Sequence, residues 1–297
     1  MKPIPAALSA GAMGLAAALL ALVVAGCCAI GPDPWKSETE PAPPGPPRTG
    51  AVEPGPSRQT GNTLDLGLAA FPAGTPKQGA AIHDWSSKGL RPPSYKLGYA
   101  LGAPEAEELR GAFQSYARKV RFAPGKNGQF SWTPPRGCAG DMRCVFEELA
   151  AKSRAGVEPI AAVFKRRQKE GKLDAAQVAA LIVGFVQYIR YEIPATEPFG
   201  LLPPALVAQQ KRGDCDSKAL LAHMLLKDMG INSIMISSTA HRHAMLGIAL
   251  PSAGTTFTYE GRRYAYTECT AKGSPIGHIN PELLRPNDWR AVPVRLR

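Results

Sequence analysis

The run Gly213-Asp214-Cys215-Asp216-Ser217-Lys218-Ala219-Leu220-Leu221, closed by Gly230, most constrains what this chain can fold into. Asp214 is a natural N-cap, because its side-chain oxygen can accept from a backbone N–H one turn on. Ala219, Leu220, Ala222, Leu225, Leu226 and Met229 supply an apolar side, and Gly230 is a typical stop. Gly213 permits an unusual backbone angle just ahead of the helix. These signals predict a buried helix with Cys215 in its first turn. A thiol at the positive end of a helix ionises more easily, which suits a nucleophile. A buried structural cysteine is the alternative.

The chain beyond this helix reads as strands. Ile231 to Ser237 carries β-branched Ile231, Ile234 and Ile236, and His243 to Leu250 is a second apolar run. A turn through Gly254 leads to a strand pair broken at Gly261 and ending at Thr270. The expected fold class is α+β, a nucleophile helix packed on an antiparallel sheet. A cysteine nucleophile needs a base within hydrogen-bond reach, and the base needs an orienting group. His243 opens one strand and Glu268 lies near the end of another, so adjacent antiparallel strands would bring them together. His241 would share the face of His243 if both lay on a strand. Cys215, His241, His243 and Cys269 then suggest a metal site, but they lack a compact ligand spacing, and no metal or other cofactor is expected. His223 reads as a packed or surface residue, and His83 and His278 show no recognisable role.

The N-terminus reads as an address. Lys2 precedes an apolar run from Ala6 to Gly26, and the run ends Leu22-Val23-Val24-Ala25-Gly26-Cys27. A charged start, an apolar stretch and small residues at its end make a secretory signal. The ending resembles the bacterial lipobox, in which the cysteine is lipidated and becomes the first residue. That resemblance implies a lipid anchor on Cys27 and a place in the cell envelope, on the periplasmic side. Cys28 rather than Asp at the next position fits an outer-membrane address. A plain transmembrane anchor is the alternative, since about 20 apolar residues span a bilayer. Residues 27–62 are dense in Pro, Gly and charge, a composition that buries too little apolar surface to order itself and suits a spacer. Cleavage before Cys27 takes the formal charge from +11 to +10, because only Lys2 is lost. The charges are scattered and no reading element accompanies them, so nucleic acid is not an expected partner.

Between linker and nucleophile, residues 63–155 read as a helical N-terminal extension and residues 156–297 as the catalytic domain. Helices are expected over Pro104 to Val120, Val145 to Lys152, Ile160 to Lys169, from Asp174, and from Pro203 to Gln210. In the helix from Asp174, the spacing of Val178, Leu181, Ile182, Phe185, Val186 and Ile189 buries one face, and Gly184 marks a close helix contact. Phe122 to Gly137 is loop or short strand. Cys138 and Cys144, in an exported chain, are best read as a local disulfide.

A cysteine-bearing helix followed by strands bearing His and a carboxylate resembles the layout of papain-like cysteine enzymes. More specifically, the chain from about Ala175 to Ile279 resembles the transglutaminase-like domain of bacterial proteins. The matching stretches are Phe185 to Tyr191, Gly213-Asp214-Cys215-Asp216, His243 to Ala249 and Tyr266-Thr267-Glu268-Cys269-Thr270. The resemblance implies a papain/transglutaminase-like core with Cys215 as nucleophile, His243 as base and Glu268 as third member. Better-known members carry Asp in place of Glu268, and many carry Trp in place of Met245. The implied activity is that of a cysteine peptidase or amidase, cleaving or transferring an amide or isopeptide acyl group of a protein or peptide substrate. A cell-wall amidase of the NlpC type is an alternative, although that family continues Asp-Cys-Ser-Gly where this chain has Asp214-Cys215-Asp216-Ser217. A non-catalytic binding module of the envelope is the other.

Overall fold

The computed structural model describes residues 57–138, 141–251 and 254–296, together with the backbone of Leu22–Ala25. Cys27, Cys28 and residues 29–56 of the expected linker lie outside the described residues.

The chain is α+β, but its extension is not simply helical. Strands β1 (Arg58–Thr60), β2 (Thr63–Phe71), β3 (Ala81–Ser86) and β4 (Ser94–Leu101) form a sheet in the order β1-β2-β4-β3. The central pair β2 and β4 runs parallel, and the outer pairings are antiparallel. Tyr95, Leu97 and Tyr99 turn inward along β4 at the period of a strand, as do His83 and Trp85 along β3. Gly67 and Gly98, weak strand formers, sit in the two parallel strands, which are held by distant partners rather than by local propensity.

Among the described residues, five α-helices carry the rest of the core: α1 (Ala103–Lys119), α2 (Arg143–Gly171), α3 (Ala175–Gln187), α4 (Pro204–Gln210) and α5 (Cys215–Asp228). The two helices expected at Val145 and Ile160 are one. Pro159 lies inside α2 and forgoes one backbone bond there. Val145, Phe146 and Leu149 before it and Val157, Ile160 and Phe164 after it bury into the same core, and that burial carries the helix through. The boundary placed between residues 155 and 156 therefore falls in the interior of α2. Among the described residues, the larger of two apolar clusters runs from Leu64 to Val294.

Asp174 caps α3 with a full capping box, accepting from Gln177 N at 2.8 Å while Gln177 Oε1 accepts from Asp174 N. From Val178 to Gln187 almost every residue of α3 is buried, where a single face was expected. A helix apolar on all sides belongs between layers. The close contact at Gly184 is with a strand: a Cβ there would stand 3.1 Å from Trp85 on β3.

The second sheet comprises β5 (Ser233–Ser238), β6 (His243–Ile248), β7 (Thr256–Tyr259), β8 (Arg262–Thr267) and β9 (Arg290–Val292). Its order is β7-β8-β6-β5-β9, antiparallel throughout. Glu260 and Gly261 both take positive φ, 46° and 73°, in the two-residue turn that joins β7 to β8. The layers run from the first sheet, through α2, α3 and α4, to α5, which packs on β5 and β6. Leu22–Ala25 adds an outer strand to Gln129–Trp132. Cys138 and Cys144 are joined by a disulfide beside the start of α2.

No helix among the described residues is long and apolar enough to cross a membrane.

Candidate functional site

The start of α5 is built by local bonds. Asp214 accepts from Ser217 N at 2.9 Å, satisfying one of the orphan donors at the helix N-terminus. Ahead of it, Arg212–Gly213 runs parallel to Arg190–Tyr191, with Arg190 N donating to Lys211 O and Glu192 N to Gly213 O, each at 3.1 Å. Gly213 is thus extended, and the unusual angle expected there falls on Lys211, at φ 53°. Leu202 N donates to Ser217 Oγ at 2.9 Å and ties the preceding loop to the same turn. Cys215 is held completely buried between these elements, its Sγ 3.7 Å from Asp216 Oδ2.

His243 opens β6 as expected, and Glu268 follows directly on β8. The two strands pair through Leu246 and Thr267, and the pairing brings His243 Nε2 to 2.7 Å from Glu268 Oε2. The other carboxylate oxygen of Glu268 accepts from Thr270 N at 2.7 Å and Thr270 Oγ1 at 2.6 Å. Burial by itself would raise the Glu268 carboxyl. The charge and hydrogen bond of His243, with the two Thr270 donors, outweigh it and hold the carboxyl down at about 2. For His243, burial favours the neutral ring. The charge and hydrogen bond of Glu268 overcome this, and Asp216 and Asp214 add to them, so His243 stays protonated above its usual range. The two residues flanking Cys215 therefore act electrostatically on His243.

His241 does not lie on the strand with His243. It sits in the β5–β6 turn, where Arg242 takes φ 50°, and its Nε2 is 3.1 Å from Asp288 Oδ2. Trp289 stands beside both rings, 5.8 Å from His241 and 6.2 Å from His243 between centroids. Among the described residues, three metal-ligating side chains converge only at Asp214, Cys215 and Asp216, within 4.8 Å; His241, His243 and Cys269 do not join them. Cys215 and Cys269 both keep reduced thiols. Burial, reinforced by Glu268, drives the Cys269 thiol far upward and keeps it un-ionised. Of the two, only Cys215 occupies a helix N-terminus.

His83 and His223 are structural. His83 Nε2 meets Ala208 O at 2.9 Å against the Phe185 ring, and His223 Nδ1 meets Ser233 Oγ at 2.8 Å. Burial depresses His83 to about 3 and His223 to about 4.

Two residues to which the sequence motifs assign no role stand beside this site. Gln187, the last residue of α3, donates to Glu268 O and Ser274 O, each at 2.9 Å, and accepts from Gly273 N at 3.0 Å. Lys218, fully buried on α5, donates to Ile189 O at 2.6 Å and Gln187 O at 3.4 Å. A sequence signal for Lys218 does exist. It lies four and seven residues before Ala222 and Leu225, on the stripe that packs inward, and a charge there demands partners.

No family model and no curated protein matches this chain. Among solved structures it is similar to a "putative protease" from Parabacteroides distasonis, at 10% identity and a TM-score of 0.30. That similarity covers 48% of this chain and 28% of the other, so the chain spans under a third of that protein's length.

Proposed function

We propose that this protein is a lipid-anchored, transglutaminase-like cysteine hydrolase of the bacterial cell envelope, acting on an amide or isopeptide bond of a protein or peptide through Cys215, His243 and Glu268. The observation that carries the proposal is the half-buried His243–Glu268 hydrogen bond at 2.7 Å, with the residues flanking Cys215 acting on the same imidazole. A pair of this kind holds an imidazolium, and an imidazolium beside a thiol at a helix N-terminus favours the thiolate. The Cys215 thiolate adds to the substrate carbonyl carbon, and amide N–H groups at the start of α5 stabilise the oxyanion. The tetrahedral adduct expels the amine, which takes its proton from His243. Water then adds to the thioester, giving a proton back to His243, and the carboxylic acid leaves with Cys215 restored. Hydrolysis is favoured over transfer because water is always present as acceptor. Glu268 orients the ring and balances its charge throughout.

The test is capture of the acyl-enzyme. The chain is quenched in acid during turnover of a peptide mixture, and peptides containing Cys215 are weighed. A thioester adduct on Cys215 is expected; modification at Cys269 instead, or none anywhere, overturns the proposal.

The anchor is proposed from the Leu22 to Cys27 pattern. Cleavage before Cys27 would remove Leu22–Ala25 and leave Gln129–Trp132 paired with Ala123–Pro124. Cys27→Ser is expected to abolish incorporation of a fatty-acid label and to block signal cleavage. Absence of label from the parent protein would refute the anchor. Two or more acyl chains, each adding about 0.8 kcal/mol per buried methylene, suffice for stable attachment.

A further inference from the structure

A buried ammonium is costly, and an apolar side chain would fill the same space on α5 without that cost. Lys218 nevertheless occupies it, three residues after Cys215 and therefore one turn along the same side of the helix. Its ammonium donates to the carbonyls of Gln187, the last residue of α3, and of Ile189, two residues on. The side chain of Gln187 in turn grips three backbone groups of the Glu268–Ser274 loop. Every polar atom of that amide is used. The chain of contacts thus runs from Lys218 to the end of α3, to Gln187, to Glu268 and to His243.

The charges around Lys218 point the same way. Cys269 and Glu268, on the loop after β8, and Cys215, on α5, favour its charged form, while Lys272 on that loop opposes it. Burial is the larger effect and brings Lys218 down to about 8. Cys215 is also flanked by the buried carboxyl groups of Asp214 and Asp216. A thiolate among carboxyl groups is stabilised by a fixed cation nearby.

We infer that Lys218 is a positioning residue of the proposed triad: its buried ammonium fixes the end of α3 against α5 and, through Gln187, holds the loop that carries Glu268. The inference rests on the triad assignment above. Lys218 acts through its neighbours and does not touch the substrate.

The experiment uses the full chain with Lys218→Met, Lys218→Arg and Gln187→Met. Three quantities are read: thermal midpoint, kcat and KM on a peptide amide, and the pH dependence of iodoacetamide alkylation at Cys215. Lys218→Met removes a desolvated charge but leaves two carbonyls without its donors, so its thermal midpoint is expected to stay close to the parent's. Its kcat is expected to fall at least about 10-fold with little change in KM, the mark of lost transition-state interaction. Its alkylation profile is expected to move about 1 pH unit upward, the size of shift that one nearby opposite charge produces. Lys218→Arg keeps the charge and should retain the parent's alkylation profile. Gln187→Met should lose kcat yet leave that profile in place, since the cation remains.

Parent-like kcat and alkylation in a folded Lys218→Met variant would overturn the inference, as would a loss of kcat matched by a loss of thermal midpoint. Should neither Lys218 variant fold, parent-like kcat in Gln187→Met overturns it and the predicted loss supports it. If the parent turns over no amide, the triad assignment fails; the comparison of alkylation profiles still decides whether Lys218 governs Cys215.

Discussion

Cys215→Ala is expected to abolish acyl-enzyme formation and amide turnover, because the other reduced thiol, Cys269, is buried and held un-ionised. His243→Ala removes the proposed proton donor for the leaving amine. Its kcat is expected to fall by roughly 10²- to 10⁴-fold, the usual contribution of a positioned acid–base group. Alkylation at Cys215 should persist in that variant, slowed, since the helix N-terminus remains. Glu268→Gln keeps a polar group near His243 but loses the charge that holds the ring protonated. A hydrogen bond to a charged group is worth about 1.5–3 kcal/mol, which corresponds to a drop of roughly 10- to 100-fold. His241→Ala is the control, because that side chain pairs with Asp288 instead of Glu268. A dead His241 variant beside an active His243 variant would reassign the base. The measurement is initial rate on a peptide amide for all four variants, paired with the rate of alkylation at Cys215.

The second large effect concerns acid. His83 and His223 are buried neutral, at about 3 and about 4, against 6.5 in an unfolded chain. Between these values the unfolded state binds protons that the folded state refuses, so folding stability is full above pH 6.5 and falls as the pH drops. Each histidine contributes a slope of about 1.4 kcal/mol per pH unit in its window. Together they remove several kcal/mol by pH 4.5, a large share of the 5–15 kcal/mol typical of a folded protein. His243 works in the opposite sense. Its raised value stabilises the fold at low pH, and that contribution is lost as the pH rises through it. Glu268, held at about 2 against 4.5, adds stability above pH 4.5 that is lost only in stronger acid. The net expectation is a urea midpoint that falls steeply from pH 6.5 to 4.5. Gln at both His83 and His223 should flatten that slope. A midpoint independent of pH across this window would show that the two rings are not held neutral.

The helix that begins at Cys215 was legible in the sequence because its signals are local. A cap at Asp214, a stop at Gly230 and an apolar run between them act within a few residues of one another. The same holds for the N-cap at Asp174 and for the turn at Gly261. Sequence order also placed His243 at a strand start and Glu268 near the end of another strand, which in fact stops at Thr267, one residue short of it. Local signals misled where long-range packing overrode them. Val145 to Lys152 and Ile160 to Lys169 read as two helices, yet buried residues on both sides of Pro159 keep α2 continuous. The parallel pairing of β2 with β4 has no signature within either strand, since its hydrogen bonds cross about 30 residues of chain.

Only the tertiary structure decided which groups meet. The register of β6 against β8 brings the imidazole to the carboxylate, and the β5–β6 turn sends His241 to Asp288. Gln187 and Lys218 stand at the ends of contacts that span 29 to 87 residues, and no helical or strand period reports such a contact. The sequence alone determined which residues could carry chemistry, because helix caps and apolar periods are written in neighbouring side chains. Their distances, partners and ionisation belong to the fold, because burial and charge act through space, and only packing sets what lies within a few ångströms of Cys215, His243 and Glu268.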